Sequence, residues 1–375
     1  MNGDATGRDL RRAALALTRV PGVGSVTFRA LAAALGGADA VFRASPSVVS
    51  AVPGCPRHVA EAIRAFDEWA WVDAELQRLA NLGGRLLVAG TSDYPVHLGR
   101  IHDPPPVVYV LGDLAPQERR VIAVVGSRRA TPYGAATAAR LARELAGAGF
   151  VAVSGMARGI DAAAHQGAMA AGGRTLAVLG CGVDVAYPPE MRALKEQVKT
   201  HGAVLAELPL GAPPDAHHFP IRNRIISGMS LGVVVVEATA ESGSLITARL
   251  ALEQGREVFA VPGNVGTPTS AGTNQLIKAG ATLVETADDI LGHVAAQLGS
   301  APARPTAVSS IAVELTDEES RVVDLLSWEP SHVDELTARA RLAPNRLAEV
   351  LLGLELKGVA RQIPGRCYVR QPPDS

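Results

Sequence analysis

Seven nearly continuous apolar runs mark the middle of the chain, at residues 121–126, 150–155, 175–180, 203–208, 232–238, 257–262 and 282–285. Between them, apolar residues recur at three- and four-residue spacing. Short runs with no polar face predict strands buried on both sides, and the spaced segments predict crossover helices. This alternation predicts a doubly wound, mostly parallel, Rossmann-like α/β sheet over residues 81–296. Its entry segment, "RLLVAGTSDYPVHLGRIHDPPPVVYVLGDL", has short apolar runs and three consecutive prolines, which predict an edge strand and turns.

The flanks have a different texture. Residues 1–80 predict short helices in a small helix-hairpin-helix or SAM-like domain. Its turns, "VPGVGS" and "AVPGCPR", either point backbone amides at a phosphate or simply join helices. Residues 297–313, rich in Ala, Pro and Ser, predict a linker. Residues 314–371 contain three helical patterns and two short strand-like pieces around Pro-Gly, the order of a winged-helix domain. Its recognition-helix position, 345–357, sets Glu349 and Glu355 against Arg346 and Lys357, so protein contact fits as well as DNA contact.

Composition narrows the class. At 375 residues, with 47% hydrophobic and 19% charged residues, the chain is globular. Only 4% are aromatic, so the core is aliphatic. The net charge of −1 lacks the basic excess common in nucleic-acid-binding domains, leaving room only for a local patch. Three scattered cysteines (Cys55, Cys181, Cys367) suggest neither a disulfide framework nor a zinc site. His217-His218 has no third ligand nearby, so no metal is expected. With no run of membrane-spanning length and no signal-peptide core, a soluble cytoplasmic protein is expected.

Ligands of open α/β sheets sit at the carboxyl ends of the strands. There the sequence places Gly126-Ser127-Arg128-Arg129, Ser154-Gly155, Gly159-Ile160-Asp161 and Ser242-Gly243-Ser244, with Thr247 a turn further on. Small-residue turns running into helices aim amides and hydroxyls at an anion, phosphate most naturally. Arg128, Arg129, Arg222 and Arg224 would surround it, and arginine's planar fork suits phosphate. The chain has four lysines, so arginine supplies most of any basic surface. In "FPIRNRIISG", Ile221, Ile225, Ile226 and Met229 predict one buried helical face, with Phe219, Arg222, Asn223 and Arg224 near the crevice. A ring beside arginines suits single-stranded nucleic acid. Alternatively Phe219 is a core residue and Arg222 the partner of an acid such as Glu237. Asp161 and His165 lie four apart on one helix, suiting a base and its orienter, or a buried hydrogen bond that fixes the helix to the sheet. GxGxxG, GxxxxGK[ST] and GxSxG are all absent, which disfavours a dinucleotide cofactor, ATP hydrolysis and an esterase elbow.

The stretches "VVGSRRATPYG", "SGMARGIDAAAHQGAM", "TLAVLGCGVDVAYPPE", "FPIRNRIISGMS", "VVVVEATAESGSLITARLALEQGREVFAVPG" and "SAGTNQLIKAGATLV" follow one another over residues 121–285. In this order they resemble the DNA-processing protein A family (DprA, also called Smf). The resemblance implies a sequence-independent single-stranded DNA binder without enzymatic turnover. Such a protein shields incoming DNA during natural transformation, helps load the RecA recombinase, and dimerises through its Rossmann-like domain. It implies DNA contacts at Gly126, Ser127, Arg128, Phe219, Arg222 and Asn223. Where some members add a lysine, this chain reads "GVDVAYP" and "PPDAHHFP", which shifts weight to Arg129 and Arg224. The competing expectation is a nucleoside-monophosphate phosphoribohydrolase, with Ser242, Gly243, Ser244 and Thr247 holding phosphate. Such enzymes need an acid just after the threonine, and here Ala248 and Arg249 follow.

Overall fold

The computed structural model describes residues 2–115, 118–298, 315–327, 330–340, 342–363 and 365–370. Six helices come first: α1 (Asn2–Arg19), α2 (Ser25–Leu35), α3 (Ala38–Arg43), α4 (Pro46–Ser50), α5 (Arg57–Arg64) and α6 (Trp69–Asn81). Strands β1 (Arg85–Val88) and β2 (Val107–Gly112) then lead into β3 (Val121–Val125), α7 (Pro132–Gly147), β4 (Val151–Ser154), α8 (Ile160–Ala170), β5 (Thr175–Leu179), α9 (Arg192–His201) and β6 (Gly202–Ala206). The second half of the sheet follows, with α10 (His218–Met229), β7 (Gly232–Val235), α11 (Ser244–Glu253), β8 (Glu257–Ala260), α12 (Ala271–Lys278), β9 (Thr282–Leu283) and α13 (Ala287–Leu298). Last come α14 (Asp317–Leu325), β10 (Ser331–His332), α15 (Val333–Ala340), α16 (Pro344–Leu356), β11 (Ala360–Ile363) and β12 (Cys367–Arg370).

The nine-stranded sheet runs β1-β2-β6-β5-β4-β3-β7-β8-β9. From β6 to β9 all pairings are parallel, whereas β2 joins β6, and β1 joins β2, antiparallel. All seven strands expected from the apolar runs are present. The entry segment supplies two strands rather than one, and β2 lies inside the sheet. After β6 the chain crosses to the far side of β3 to lay down β7, which opens a crevice beyond the carboxyl ends of β3 and β7. Strands β3, β5 and β6 are buried at every position, because aliphatic side chains on both faces meet helices.

The C-terminal domain is a winged helix: α14, α15 and α16 pack around Leu336, Leu347, Leu351 and Leu354, and a three-stranded β10-β12-β11 sheet forms the wing. Thr316 opens α14 with a reciprocal capping box to Glu319. The expected linker, 297–313, falls mostly outside the described residues. Among the described residues no helix is long and apolar enough to cross a membrane.

The helical N-terminal domain is tied to the sheet by a buried carboxylate. Glu75 of α6, 2% exposed, accepts a 2.7 Å hydrogen bond from the Leu210 amide and a 3.3 Å contact from Arg78 Nη1. Leu210 begins the segment that leads to α10. Glu75→Ala strands that amide, and about 1–3 kcal/mol of stability should be lost. Urea unfolding of the full chain checks this.

Candidate nucleic-acid interface

A trough of about 800 Å³ lies at the switch point. Gly126–Arg129 after β3 form one bank, and Ser242, Gly243 and Ser244 after β7, with Thr247 of α11, form the other. The first turns of α10 close it with Phe219, Arg222, Asn223 and Ile226, and Tyr187 comes in from the loop after β5.

The first bank is built by close approach. Gly159, at φ +74°, begins α8, and a Cβ there would run into the Ser127 carbonyl. The Ile160 amide instead donates to that carbonyl at 3.2 Å. Ser127 Oγ accepts from the Arg129 amide at 3.0 Å. On the far side, Thr131 caps α7 by accepting from the Gly134 amide, and Pro132 occupies the first turn. The Thr131 amide donates to Glu237 at 2.9 Å, and its hydroxyl donates to the same carboxylate. Glu237 at the end of β7 therefore pins the segment that follows Arg129. Gly159→Ala forces the Ser127 carbonyl aside in a positive-φ backbone conformation nearly confined to glycine, which costs alanine about 1–3 kcal/mol. The expected outcome is a folded protein whose trough holds an anionic ligand more weakly, read by fluorescence anisotropy.

Arg128 and Arg129 are exposed, and neither has an ion-pair partner among the described residues. The Arg128 guanidinium carbon sits 5.2 Å from the centre of the Phe219 ring. Phe219 packs its other surroundings onto Gly180, where a Cβ would come within 2.8 Å of the ring, and its centroid lies 5.7 Å from that of Tyr187. Two aromatic rings and two unpaired guanidinium groups thus share one bank. Opposite, Ser242 and Ser244 hydroxyls lie 2.8 Å apart at the start of α11, whose cap residue Gly243 offers no side-chain acceptor, and Asn223 Nδ2 contacts the Gly243 carbonyl at 3.4 Å. Ser242 Oγ also accepts from the Ser244 amide at 3.4 Å, and the Leu245 and Ile246 amides turn back to the Ser242 and Gly243 carbonyls, so the serine hydroxyls and the positive end of the helix are what this bank offers an anion.

Arg222 plays another part. It is 6% exposed, and Nη1 donates to the carbonyls of Gly155, at 2.7 Å, and Val178. A Cβ on Gly155 would come within 2.8 Å of both Arg222 and Asp161, so the glycine lets these two charges lie side by side. Burial brings the Arg222 pKa down to about 10, with Asp161 opposing the shift. Burial pushes the Asp161 carboxyl up, against the pull of Arg222 and the Ala157 amide. Arg222 therefore makes no close ion pair among the described residues: the opposing charge beside it is Asp161, and Glu237 is taken by Thr131.

Eleven of the fourteen expected site residues line the trough: Gly126, Ser127, Arg128, Arg129, Phe219, Arg222, Asn223, Ser242, Gly243, Ser244 and Thr247. Three do not. Ser154 is fully buried, its hydroxyl donating to the Val124 carbonyl at 2.6 Å. Gly155 roofs Arg222. Arg224 turns away, pairing with Glu207 at 2.7 Å and Asp103 at 3.3 Å. Successive positions on a helix are 100° apart, so Arg222 and Arg224 point nearly opposite ways. The Ile160 amide, expected to face an anion, is spent on Ser127. Asp161 and His165 form no pair. His165 is wholly buried, bonds Thr175 of β5 at 2.7 Å, and is brought down to about 3 by burial, so it stays neutral and holds α8 to the sheet. Tyr187 is the trough residue the sequence reading missed. Its signal was an aromatic in a strand-end loop on the same rim as the arginines.

An open α/β sheet with hydroxyls, a helix start and exposed arginines at its switch point is a Rossmann-like protein equipped for an anionic ligand. Three family models cover the chain: a DprA-like N-terminal HHH domain at residues 8–70, DNA recombination-mediator protein A at 85–295, and the DprA winged helix domain at 301–366. The chain belongs to the DNA recombination-mediator protein A (DprA) family. Protein Smf of Synechocystis sp. is 32% identical over 393 residues, 95% of this chain and 98% of that protein. The crystal structure of DNA processing protein A from Streptococcus pneumoniae superposes with a TM-score of 0.67 at 33% identity, covering 75% of this chain and 97% of that one. DNA processing protein A from Helicobacter pylori, described for its single-stranded DNA binding mode, superposes at 0.51 with 29% identity, covering 57% and 96%.

Proposed function

We propose that the trough binds single-stranded DNA without regard to sequence, and that the protein shields such DNA and passes it to the RecA recombinase during transformation and recombination. The observation that carries the reading is the exposed Arg128, without an ion-pair partner among the described residues, over the Phe219 ring and across from the Ser242 and Ser244 hydroxyls at the start of α11. Guanidinium groups and the serine hydroxyls at the start of α11 take successive phosphates, and Phe219 and Tyr187 offer faces to bases. Strand preference comes from access: a duplex cannot present an unstacked base to the rings. The related protein described for single-stranded DNA binding supports this reading. The family membership supports dimerisation through the sheet domain, the transfer to RecA and a cytoplasmic site of action.

The trough also argues for binding without turnover. Asp161, its buried acid, accepts from the Ala157 amide and lies beside the Arg222 charge, and the residues after Thr247 are Ala248, fully buried, and Arg249. The phosphoribohydrolase alternative is tested by incubation with nucleoside monophosphates, where no base should be released. The winged helix fits protein contact better than DNA, because Arg346 pairs with Glu318 and Glu349, and Lys357 with Glu319.

Anisotropy titrations with matched single- and double-stranded oligonucleotides at two salt concentrations test the function. Tighter single-strand binding that weakens steeply with salt is expected. Equal affinity for both forms, or indifference to salt, contradicts it.

A further inference from the structure

The amino edge of the sheet, a strand's length from the trough, carries a cluster of cations without a counter-charge. Arg119 lies just before β3 and Arg256 directly before β8, and both strands run parallel to β7 between them. The loop from β1 to β2 brings His97 and Arg100 to the same place, on a single 3-10 turn at Leu98–Arg100.

The bonds that gather these residues all run through His97. Its carbonyl accepts from the Arg100 amide at 3.2 Å and from Arg256 Nη2 at 2.9 Å. Its ring Nε2 donates to the Arg119 carbonyl at 2.9 Å. Arg256 also ties down the last turn of α10, where Nη2 donates to the Gly228 carbonyl at 3.2 Å. That role leaves its Nε buried and without a hydrogen-bond partner, and the Nδ1 of His97, a residue 7% exposed, is in the same position. The Arg100 and Arg119 side chains have no such structural role. Both are exposed, and neither makes a hydrogen bond or ion pair among the described residues.

The acids that could balance these charges are engaged elsewhere. Asp93 and Asp103, the two acids of the β1–β2 loop, pair with Arg11 at 3.1 Å and Arg224 at 3.3 Å. Glu118 and Glu257, the neighbours in sequence, make no ion pair with the cluster among the described residues. Burial holds the His97 ring below the usual histidine range, and Arg256, Arg100 and Arg119 each push it further down. Burial likewise lowers Arg256, and Arg100 adds to the shift. Like charges gathered this way repel one another, and an anion placed among them turns the repulsion into attraction. Guanidinium forks suit a tetrahedral oxyanion, whose several oxygens can each accept from a different arginine.

We infer that Arg100, Arg119 and Arg256 form a second anion site, at the amino edge of the sheet, for a phosphate group that is either free or part of a nucleic-acid strand. No residue of the trough takes part, so the site stands or falls independently of the single-strand reading.

Isothermal titration of the full chain with inorganic pyrophosphate tests it. The Arg128→Ala chain, with its trough weakened, should still bind pyrophosphate. Adding Arg100→Ala and Arg119→Ala to that chain should weaken the binding about tenfold or more, the scale of lost hydrogen bonds to a charged group. Both side chains are exposed and unbonded, so the fold should be retained, and matching urea midpoints check this. Oligo-dT of about 12 nucleotides then identifies the source of the phosphate. If Arg100→Ala with Arg119→Ala binds it like the parent, the site takes free phosphate; weaker binding with a shallower salt dependence means that it takes a strand phosphate. Pyrophosphate affinity unmoved by the two substitutions overturns the inference, as does a parent chain that binds none. Loss of all pyrophosphate binding on Arg128→Ala alone puts the anion in the trough and overturns it too.

Discussion

Arg128→Ala binds single-stranded oligonucleotides about 1–3 kcal/mol more weakly than the parent, the scale of a charge-assisted contact to phosphate. The substitution removes two things at once. One is an exposed guanidinium with no ion-pair partner among the described residues; the other is the cation that sits 5.2 Å over the Phe219 ring. Because the side chain is exposed and makes no ion pair among the described residues, the fold should be retained and the urea midpoint should move little. The salt dependence of binding should become shallower by about one phosphate contact. Arg128→Lys should recover only part of the loss, since a lysine keeps the charge but loses the flat fork that stacks on the ring and grips two oxygens.

A larger effect is expected from the other arginine, and on a different property. Arg222→Met should destabilise the protein by about 3–5 kcal/mol, because it leaves the Asp161 carboxylate buried without its compensating charge. It also leaves the Gly155 and Val178 carbonyls without their donor. The pH dependence identifies the mechanism. Burial already raises Asp161 above its unfolded value, so the folded state holds the proton more tightly and the group's contribution to stability falls as pH rises through its folded pKa. Without Arg222 that pKa rises further. The deficit between variant and parent, measured by urea unfolding, should therefore be greatest near neutral pH and shrink as acid protonates Asp161. A deficit independent of pH would mean that packing, not charge, is what Arg222 supplies. DNA binding by this variant should also fall, since Arg222 underlies both Gly155 and the trough.

The contrast between these arginines shows what the sequence could and could not convey. The seven parallel strands were legible because burial on both faces demands uninterrupted aliphatic runs, and "VIAVV" or "GVVVV" have no other stable home. The banks of the trough were legible for a related reason: strand ends in an open sheet are where ligands sit, so small and charged residues there stand out. Which arginine faces the ligand was not legible. Arg128, Arg222 and Arg224 differ in role because of partners more than a dozen residues away, Asp161 for Arg222 and Glu207 with Asp103 for Arg224. Only the helical phase of Arg222 and Arg224 hinted that they could not both face one crevice. Glu237 was read as a partner for Arg222, but it is claimed by Thr131 in the loop after the neighbouring strand β3, a pairing that apolar runs do not reveal. The antiparallel pair β1-β2 was half visible, because apolar runs announce strands but not their neighbours. Tyr187 went unnoticed among prolines, where an aromatic reads as a turn residue.

The central claim is that a single strand lies along the rim formed by the Arg128 loop, the start of α10 and the start of α11. Ultraviolet cross-linking of the full chain to oligo-dT, followed by peptide mapping, tests it most directly, because photoproducts form where bases stack on side chains. The account predicts adducts at Phe219 and Tyr187 that vanish when unlabelled single strand competes. Adducts confined to the winged helix, with none on the peptides carrying Phe219 or Tyr187, would contradict it.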